Sequence, residues 1–350
     1  MLATKVSVMD PILRDILTPG ETETARQLLT VRGLELPEGR EYGVAAYAGE
    51  CVVAAGWRCG STLMGLCVDP AWQGEGISLR IVDHLIKEAA EHGLTKLFIF
   101  TTPQEAPIFA SMGFRLVASA PEHAALLEWG FPPFEGWLAG IAPDRPAPGP
   151  VGAVVLNANP FTRGHQYRLE TAAARCATLY ALVVQADVSD FPFAARFRLV
   201  QEGMAHVPAC RVLPGGPYII SLQTFPSYFS GKERQAANHA ALDLHVFGQR
   251  IAPVLGICRR FVGTEPISAV TATYNTAMRA ILPAYGIAVH ELPRIEAAGG
   301  VISASRLRAA LAVGNLEEAL GYAPAPTAAF LQSEEGRRII GILRKKHASE

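Results

Sequence analysis

Residues 154–169 read VVLNANPFTRGHQYRL, and this stretch decides the fold of the second half of the chain. The apolar run GAVVL (Gly152–Leu156) stops at Asn-Ala-Asn-Pro, which predicts a short buried strand ending in a turn. Thr162-Arg163-Gly164-His165 then opens a helix running from about Gly164 to Ala177, and LYALVV (Leu179–Val184) supplies a second apolar strand. Strand, helix, strand with short apolar runs predicts a parallel α/β sheet. Thr162 and His165 stand three residues apart, so both face one point at the helix N-terminus. Gly164 lets a ligand approach the backbone closely. A hydroxyl, an imidazole and helix N–H groups converging there suit a triphosphate, with the imidazole donating to oxygens where charge builds during phosphoryl attack.

A second stretch, GGVISASRLRAAL (Gly299–Leu311), reads as the other half of the same site. Ser303 predicts an N-cap for a helix beginning near Ala304, and Ser305 adds a hydroxyl. Arg308, about one turn in, would reach β- and γ-phosphates bidentately. Taken alone, this is an ordinary capped surface helix with a solvated arginine. The order of the two motifs makes it a phosphate site. Arg196, in FPFAARFRLVQEG (Phe191–Gly203), is a further candidate phosphate contact. Gly263, Glu265 and Tyr274 follow an apolar strand end, a usual ligand-facing edge in open α/β sheets. Lys232 is a candidate to close over the site.

The first 130 residues have a different rhythm. Tyr42–Asp69 predicts three consecutive antiparallel strands with turns at Gly49-Glu50 and Cys59-Gly60. A helix with apolar periodicity covers Leu79–His92, and LFIFT (Leu97–Thr101) is a buried strand. Between strand and helix lies Gln73-Gly74-Glu75-Gly76-Ile77-Ser78, whose glycines and following helix N-terminus form an anion site suited to a pyrophosphate. Residues 131–150, FPPFEGWLAGIAPDRPAPGP, read as a Pro-rich linker, giving domains at 1–130 and 151–350.

Composition narrows the classes. Half of the 350 residues are apolar and 18% are charged, which excludes a largely disordered chain. Lys+Arg number 31 against 32 Asp+Glu, so the basic surplus of a general nucleic-acid binder is missing. No apolar stretch approaches the ~18 residues needed to span a bilayer, and no signal peptide is seen, so a cytoplasmic protein is expected. The six scattered cysteines form no C-x-x-C pair and are expected to be reduced, mostly buried and without a chemical role.

Three resemblances follow from these motifs. The Gln73–Ser78 loop, with Met112-Gly113-Phe114 downstream, resembles the GCN5-related acetyltransferases, where such a loop holds the CoA pyrophosphate. That implies CoA or acetyl-CoA contacts at Val68, Gln73, Gly74, Gly76 and Ser78, with Cys67 and Val68 near the acyl thioester. Phe109 stands where that superfamily often has an acidic tyrosine, so the general acid is missing. The T-x-G-H motif and Ile302-Ser303-Ala304-Ser305-Arg306-Leu307-Arg308 resemble the cytidylyltransferase-like superfamily. Thr162, His165 and Arg308 are then the expected catalytic groups, with Asn157, Phe161, Gly164, Arg196, Gly263, Ser303 and Ser305 binding ATP, and with Mg²⁺ on the triphosphate. The order NPFTRGH, FPFAARFRLVQEG, FPSYF, RRFVGTEP, TYNTAM resembles the citrate lyase ligase family across nearly the whole chain. The implied fold is α/β: a mixed-sheet acetyltransferase-like domain followed by a Rossmann-like parallel-sheet nucleotidyltransferase domain. The implied reaction is ATP-dependent activation of acetate and acetylation of the prosthetic-group thiol on the citrate lyase acyl-carrier subunit. Two other readings remain open on the same motifs. One is an adenylyltransferase acting on a phosphorylated small molecule such as phosphopantetheine. The other is a non-catalytic CoA sensor.

Overall fold

In the computed structural model the described residues are 10–145, 148–186, 189–220, 225, 231–264, 269–297 and 300–348. They divide into two units, Met1–Gly136 with Phe225–Leu242, and Trp137–Thr224 with Asp243–Glu350.

In the first unit the elements run β1 (Ile12–Asp15), α1 (Pro19–Val31), β2 (Tyr42–Ala48), β3 (Cys51–Cys59), β4 (Thr62–Val68), α2 (Ile77–Glu91), β5 (Lys96–Thr101), α3 (Ala106–Ser111), β6 (Arg115–Ala120) and β7 (Ala124–Gly130). The strands form one mixed sheet in the order β1-β2-β3-β4-β5-β7-β6. The three strands and two turns expected from Tyr42–Asp69 are present as β2–β4. Helix α2 lays Ile77, Ile81, Val82, Leu85 and Ala89 on the sheet, the face its apolar spacing dictates. Only β4 and β5 pair in parallel, at Thr62↔Phe98 and Leu63↔Ile99. Beyond that point pairing stops although both strands continue. The sheet therefore parts between residues 66–68 and 100–101.

The Pro-rich stretch is not simply a linker. It contains α4 (Phe134–Ile141), because Pro132-Pro133 suit a helix start, where the missing N–H donor costs nothing. Phe134 is buried and its N–H donates to Glu128 Oε1 at 2.8 Å. Residues 225–242 also depart from the expected contiguous boundary. Phe225 packs edge-on against Phe100 at 5.4 Å, and His123 Nδ1 lies 3.0 Å from Asn238 Oδ1, which ties this segment to the first unit.

The chain continues with β8 (Val151–Leu156), α5 (Arg163–Ala173), β9 (Thr178–Val183), α6 (Phe193–Met204), β10 (Cys210–Pro214), α7 (Gly231–Val246, of which all but the last turn belongs to the first unit), α8 (Ala252–Leu255), β11 (Ile257–Gly263), α9 (Ala269–Ile281), β12 (Ala288–Leu292), a short β13 (Glu296–Ala297) and β14 (Gly300–Val301) pair, then α10 (Ala304–Ala312), α11 (Leu316–Tyr322), α12 (Ala325–Gln332) and α13 (Glu334–Ala348). The five strands β10-β9-β8-β11-β12 are all parallel. From β8 the chain winds outward to β9 and β10, then returns to β11 and winds the other way. The direction reverses between β8 and β11, and the crevice outside their carboxyl ends is where an open α/β sheet offers a ligand site.

The six thiols are free, as expected, but only Cys67 is buried, while Cys51 and Cys258 are exposed. No helix of the described residues is long and apolar enough to cross a membrane.

One buried charge pair secures α2 to the first sheet. Arg58 on β3 meets Glu88 on α2 at 2.6 Å, with 5% and 8% of their side chains exposed. Glu41 adds a second carboxylate at 2.5 Å. Removing Glu88 leaves the buried guanidinium with only the exposed Glu41 as a carboxylate partner. Glu88→Ala is therefore expected to cost about 3–5 kcal/mol, read as a lower thermal midpoint; an unchanged midpoint would contradict the pairing.

Candidate functional site

A cavity of about 580 Å³ sits at the carboxyl ends of β8 and β11. Of the residues singled out from sequence, Asn157, Thr162, Gly164, His165, Ser303 and Ser305 line it together. Two helix N-termini meet here. Thr162 caps α5, and Ser303 caps α10 by accepting from the Arg306 N–H at 3.2 Å. Gly164 is what lets them meet: a Cβ on it would lie 2.9 Å from the Ile302 carbonyl oxygen. The close approach that demands glycine is thus between two parts of the chain. Both helices direct unpaired N–H groups and positive dipole ends toward the cavity.

Thr162 and His165 form a reciprocal cap. The Thr162 hydroxyl accepts from the His165 N–H at 3.4 Å, and the Thr162 N–H donates to His165 Nδ1 at 3.1 Å. A backbone donor aimed at Nδ1 means that this nitrogen carries no proton. The neutral ring then carries its proton on Nε2, leaving one donor for the cavity. Burial, reinforced by the positive charges of Arg168 and Arg294, pushes the imidazole down to about 3. His165 is thus a neutral hydrogen-bond donor at physiological pH.

Arg168, Arg294 and Thr271 also line the cavity, and the motif reading missed them. Arg168 was legible: it stands three residues past His165, the same spacing that pairs Thr162 with His165. Gly263 serves it, since a Cβ there would crowd the Arg168 guanidinium at 3.3 Å. Arg294 had no motif signal. Its Nε donates to the Thr264 carbonyl at 2.7 Å, which fixes it at the end of β11.

Four expected ATP contacts do not line the cavity. Phe161 is fully buried and stacks under His165 at 6.0 Å, so it backs the ring. Gly263 makes room for Arg168, as described. Arg196, expected on a phosphate, is fully buried; it donates to the carbonyls of Phe191, Asn157, Val184 and Ala186 and to Asn157 Oδ1, at 2.7–3.0 Å. It clamps the loops after β8 and β9 because those carbonyls have no strand partner. Arg308 pairs with Asp190 at 3.0 Å and donates to the Asn159 carbonyl. It lies beside the loop that carries Thr162. Tyr274 is also away from the cavity, donating to Asp243. Glu265 and the side chain of Lys232 lie outside the described residues.

The first unit holds a second cavity of about 580 Å³ where β4 and β5 part. Val68, Gln73, Gly74, Gly76 and Ser78 all line it, with Cys67 and Phe109. Gly76, at φ +73°, is the N-cap of α2, a left-handed position that glycine takes without a Cβ penalty. It turns the chain so that the first N–H groups of α2 open on the cavity. Burial pushes the Cys67 thiol up to about 11, so it is not a thiolate at neutral pH.

Among the described residues no three His, Cys, Asp or Glu side chains gather as a metal site. An α/β domain with helix N-termini, arginines and a neutral imidazole at its switch point, preceded in the chain by an acetyltransferase-type domain, is a recognisable class. Family models agree: the citrate lyase ligase C-terminal domain matches residues 151–331, and the acetyltransferase (GNAT) domain matches residues 23–127. The citrate (pro-3S)-lyase ligase of Klebsiella pneumoniae is 37% identical over 315 residues, covering 88% of this chain and 92% of that protein. Its namesake in Escherichia coli (strain K12) is 35% identical over 314 residues, covering 88% and 89%. Among solved structures, the GNAT domain of S. lividans PAT is 16% identical, covers 35% of this chain and 90% of its own, and has a TM-score of 0.31. The chain belongs to the citrate lyase ligase family.

The lowered His165 pKa has a signed consequence. The folded chain holds the ring neutral, whereas the unfolded chain protonates it below its ordinary value of ~6.5. Its contribution to stability is complete above that value and is lost as pH falls toward about 3. A His165→Asn variant is expected to lose stability less steeply than the parent over this acid window, measured by urea unfolding at a series of pH values. Parallel curves would contradict the buried neutral ring.

Proposed function

We propose that the chain is an AMP-forming ligase that activates acetate and acetylates a carrier-protein thiol, so activating citrate lyase. The observation that carries this reading is the reciprocal Thr162–His165 cap facing the N-terminus of α10 across one cavity. An acetate oxygen attacks the α-phosphorus of ATP. The bond to the bridging oxygen of the β-phosphate breaks, and diphosphate leaves. His165 Nε2–H and the N–H groups of α5 and α10 hold oxygens whose charge rises in that step. Arg168 and Arg294 offset the repulsion between the acetate carboxylate and the α-phosphoryl group. The carrier thiol, as thiolate, then attacks the acetyl carbon of acetyl-adenylate, and AMP leaves. No general base is needed for the first step, because acetate is ionised at neutral pH.

Mg²⁺ fits as an ion carried by the triphosphate. The described cavity wall offers neutral oxygens from Asn157, Thr271, Ser303 and Ser305 and no carboxylate, and Mg²⁺ ordinarily keeps phosphate and water ligands. The ion would neutralise β- and γ-phosphate charge. The reaction and the free thiols suit a reducing cytoplasm.

The cavity of the first unit is assigned to a CoA-type ligand, with its pyrophosphate at Gly74, Gly76 and Ser78 and its arm in the gap beside Val68. Phe109 has no proton to give a leaving thiolate, so this unit binds such a ligand without transferring its acyl group.

Two measurements test these assignments. Acetate-dependent exchange of labelled diphosphate into ATP is expected for the parent chain and absent from a folded His165→Ala variant; exchange retained in the variant would remove the assignment. Ser78→Asp places a carboxylate in the first turn of α2, where the helix dipole welcomes it but a pyrophosphate does not. CoA affinity is expected to fall about tenfold with the thermal midpoint maintained; unaltered affinity would move the ligand elsewhere.

A further inference from the structure

The C-terminal end of α13 is exposed and basic: Arg344, Lys345, Lys346 and His347 stand together there. The apolar face of the helix, with Gly336, Ile339, Ile340 and Leu343, is buried, so the cations occupy its solvent side. Two large aliphatic side chains are exposed on the elements concerned, Ile342 on α13 and Val313 at the end of α10. Ile342 is 66% exposed and Val313 is 67% exposed. Arg344 ties α13 to the end of α10: its Nε donates to the Leu311 carbonyl at 3.4 Å, and its guanidinium passes 3.5 Å from where a Cβ on Gly314 would be. The patch also connects to the loop that carries Thr162. Lys346 lies 3.5 Å from one oxygen of Asp190, and the other oxygen pairs with Arg308, which donates to the Asn159 carbonyl ahead of Thr162.

Ile342 lies three and four residues before Lys345 and Lys346, so an exposed aliphatic anchor adjoins exposed cations, a surface that steers and then holds a small acidic protein. A membrane would instead require the apolar face of α13 to be outward, and that face is buried. A nucleic acid would require a longer basic track, and here Asp190 lies against Lys346. We infer that the end of α13, with Val313 and Ile342, is the docking surface for an acidic acyl-carrier protein that brings its thiol arm to the acetyl-adenylate. This rests on the ligase reading above and names the face by which its protein substrate is recognised.

The test uses the full chain, the thiol-bearing carrier subunit, and the variants Lys345→Glu and Ile342→Ser, neither of which touches the cavity. For Lys345→Glu, the KM for carrier is expected to rise about tenfold at low ionic strength. The difference should shrink as salt screens the pair over a Debye length of ~10 Å at 0.1 M. Lys345→Arg should restore the parent value. For Ile342→Ser, the KM should rise with no dependence on salt. Acetate-dependent diphosphate exchange should be unchanged in all three. Intact exchange with an unchanged carrier KM would overturn the docking surface alone. Loss of binding to anionic vesicles or RNA, with carrier KM unchanged, would overturn it too and reassign the patch. Absence of exchange in the parent chain would remove the ligase reading and this surface with it.

Discussion

The site depends on one exchange of hydrogen bonds, between the backbone and side chains of Thr162 and His165. A helix N-terminus leaves donors unsatisfied, and a cap ordinarily answers that need with serine, threonine or an acid. Here the third residue of the helix is histidine, and its Nδ1 accepts the Thr162 N–H. Local capping therefore sets the tautomer of the ring. The same bond that starts α5 places a proton on Nε2 and holds it at the cavity. Burial and the neighbouring arginines keep the ring neutral, so it acts as a fixed donor.

That donor is useful only because of where α5 begins. The sheet order puts the start of α5 at the reversal between β8 and β11, and the close contact of Gly164 with Ile302 brings the start of α10 to the same point. Arg196 holds the surrounding loops from beneath by filling their open carbonyls. Its cation serves the fold of the site, while Arg168 and Arg294 supply the charge that faces the cavity. The balanced composition of the chain is consistent with this economy: a phosphate site needs a few oriented donors and no basic surface.

Much of this was legible in the sequence because local rules governed it. The strand–loop–helix at 152–173, the Ser303 cap, and the three strands within Tyr42–Asp69 each follow from a periodicity or a turn signal. All five residues proposed for a CoA-type ligand share one cavity, because they sit on one continuous strand–turn–helix. The misreadings concern partners distant in sequence. Arg196 reads as a phosphate contact until the carbonyls of residues 157, 184, 186 and 191 surround it. Arg294 gained its place from β12 lying beside β11, which no spacing announces. The Pro-rich stretch hid α4, whose first N–H is taken up by Glu128, distant from any capping pattern. Residues 225–242 fall between β10 and β11 of the second sheet in sequence but belong with the first unit through Phe100 and His123.

The central claim is therefore a statement about one proton, and nitrogen NMR reads it directly. With ¹⁵N-labelled histidine in the full chain, and His165→Asn to assign the signal, the ring should show an unprotonated Nδ1 and a protonated Nε2 at neutral pH. That pattern should persist as pH falls below the ordinary imidazole value of ~6.5. A ring that titrates near that value, or one protonated on Nδ1, would contradict the account.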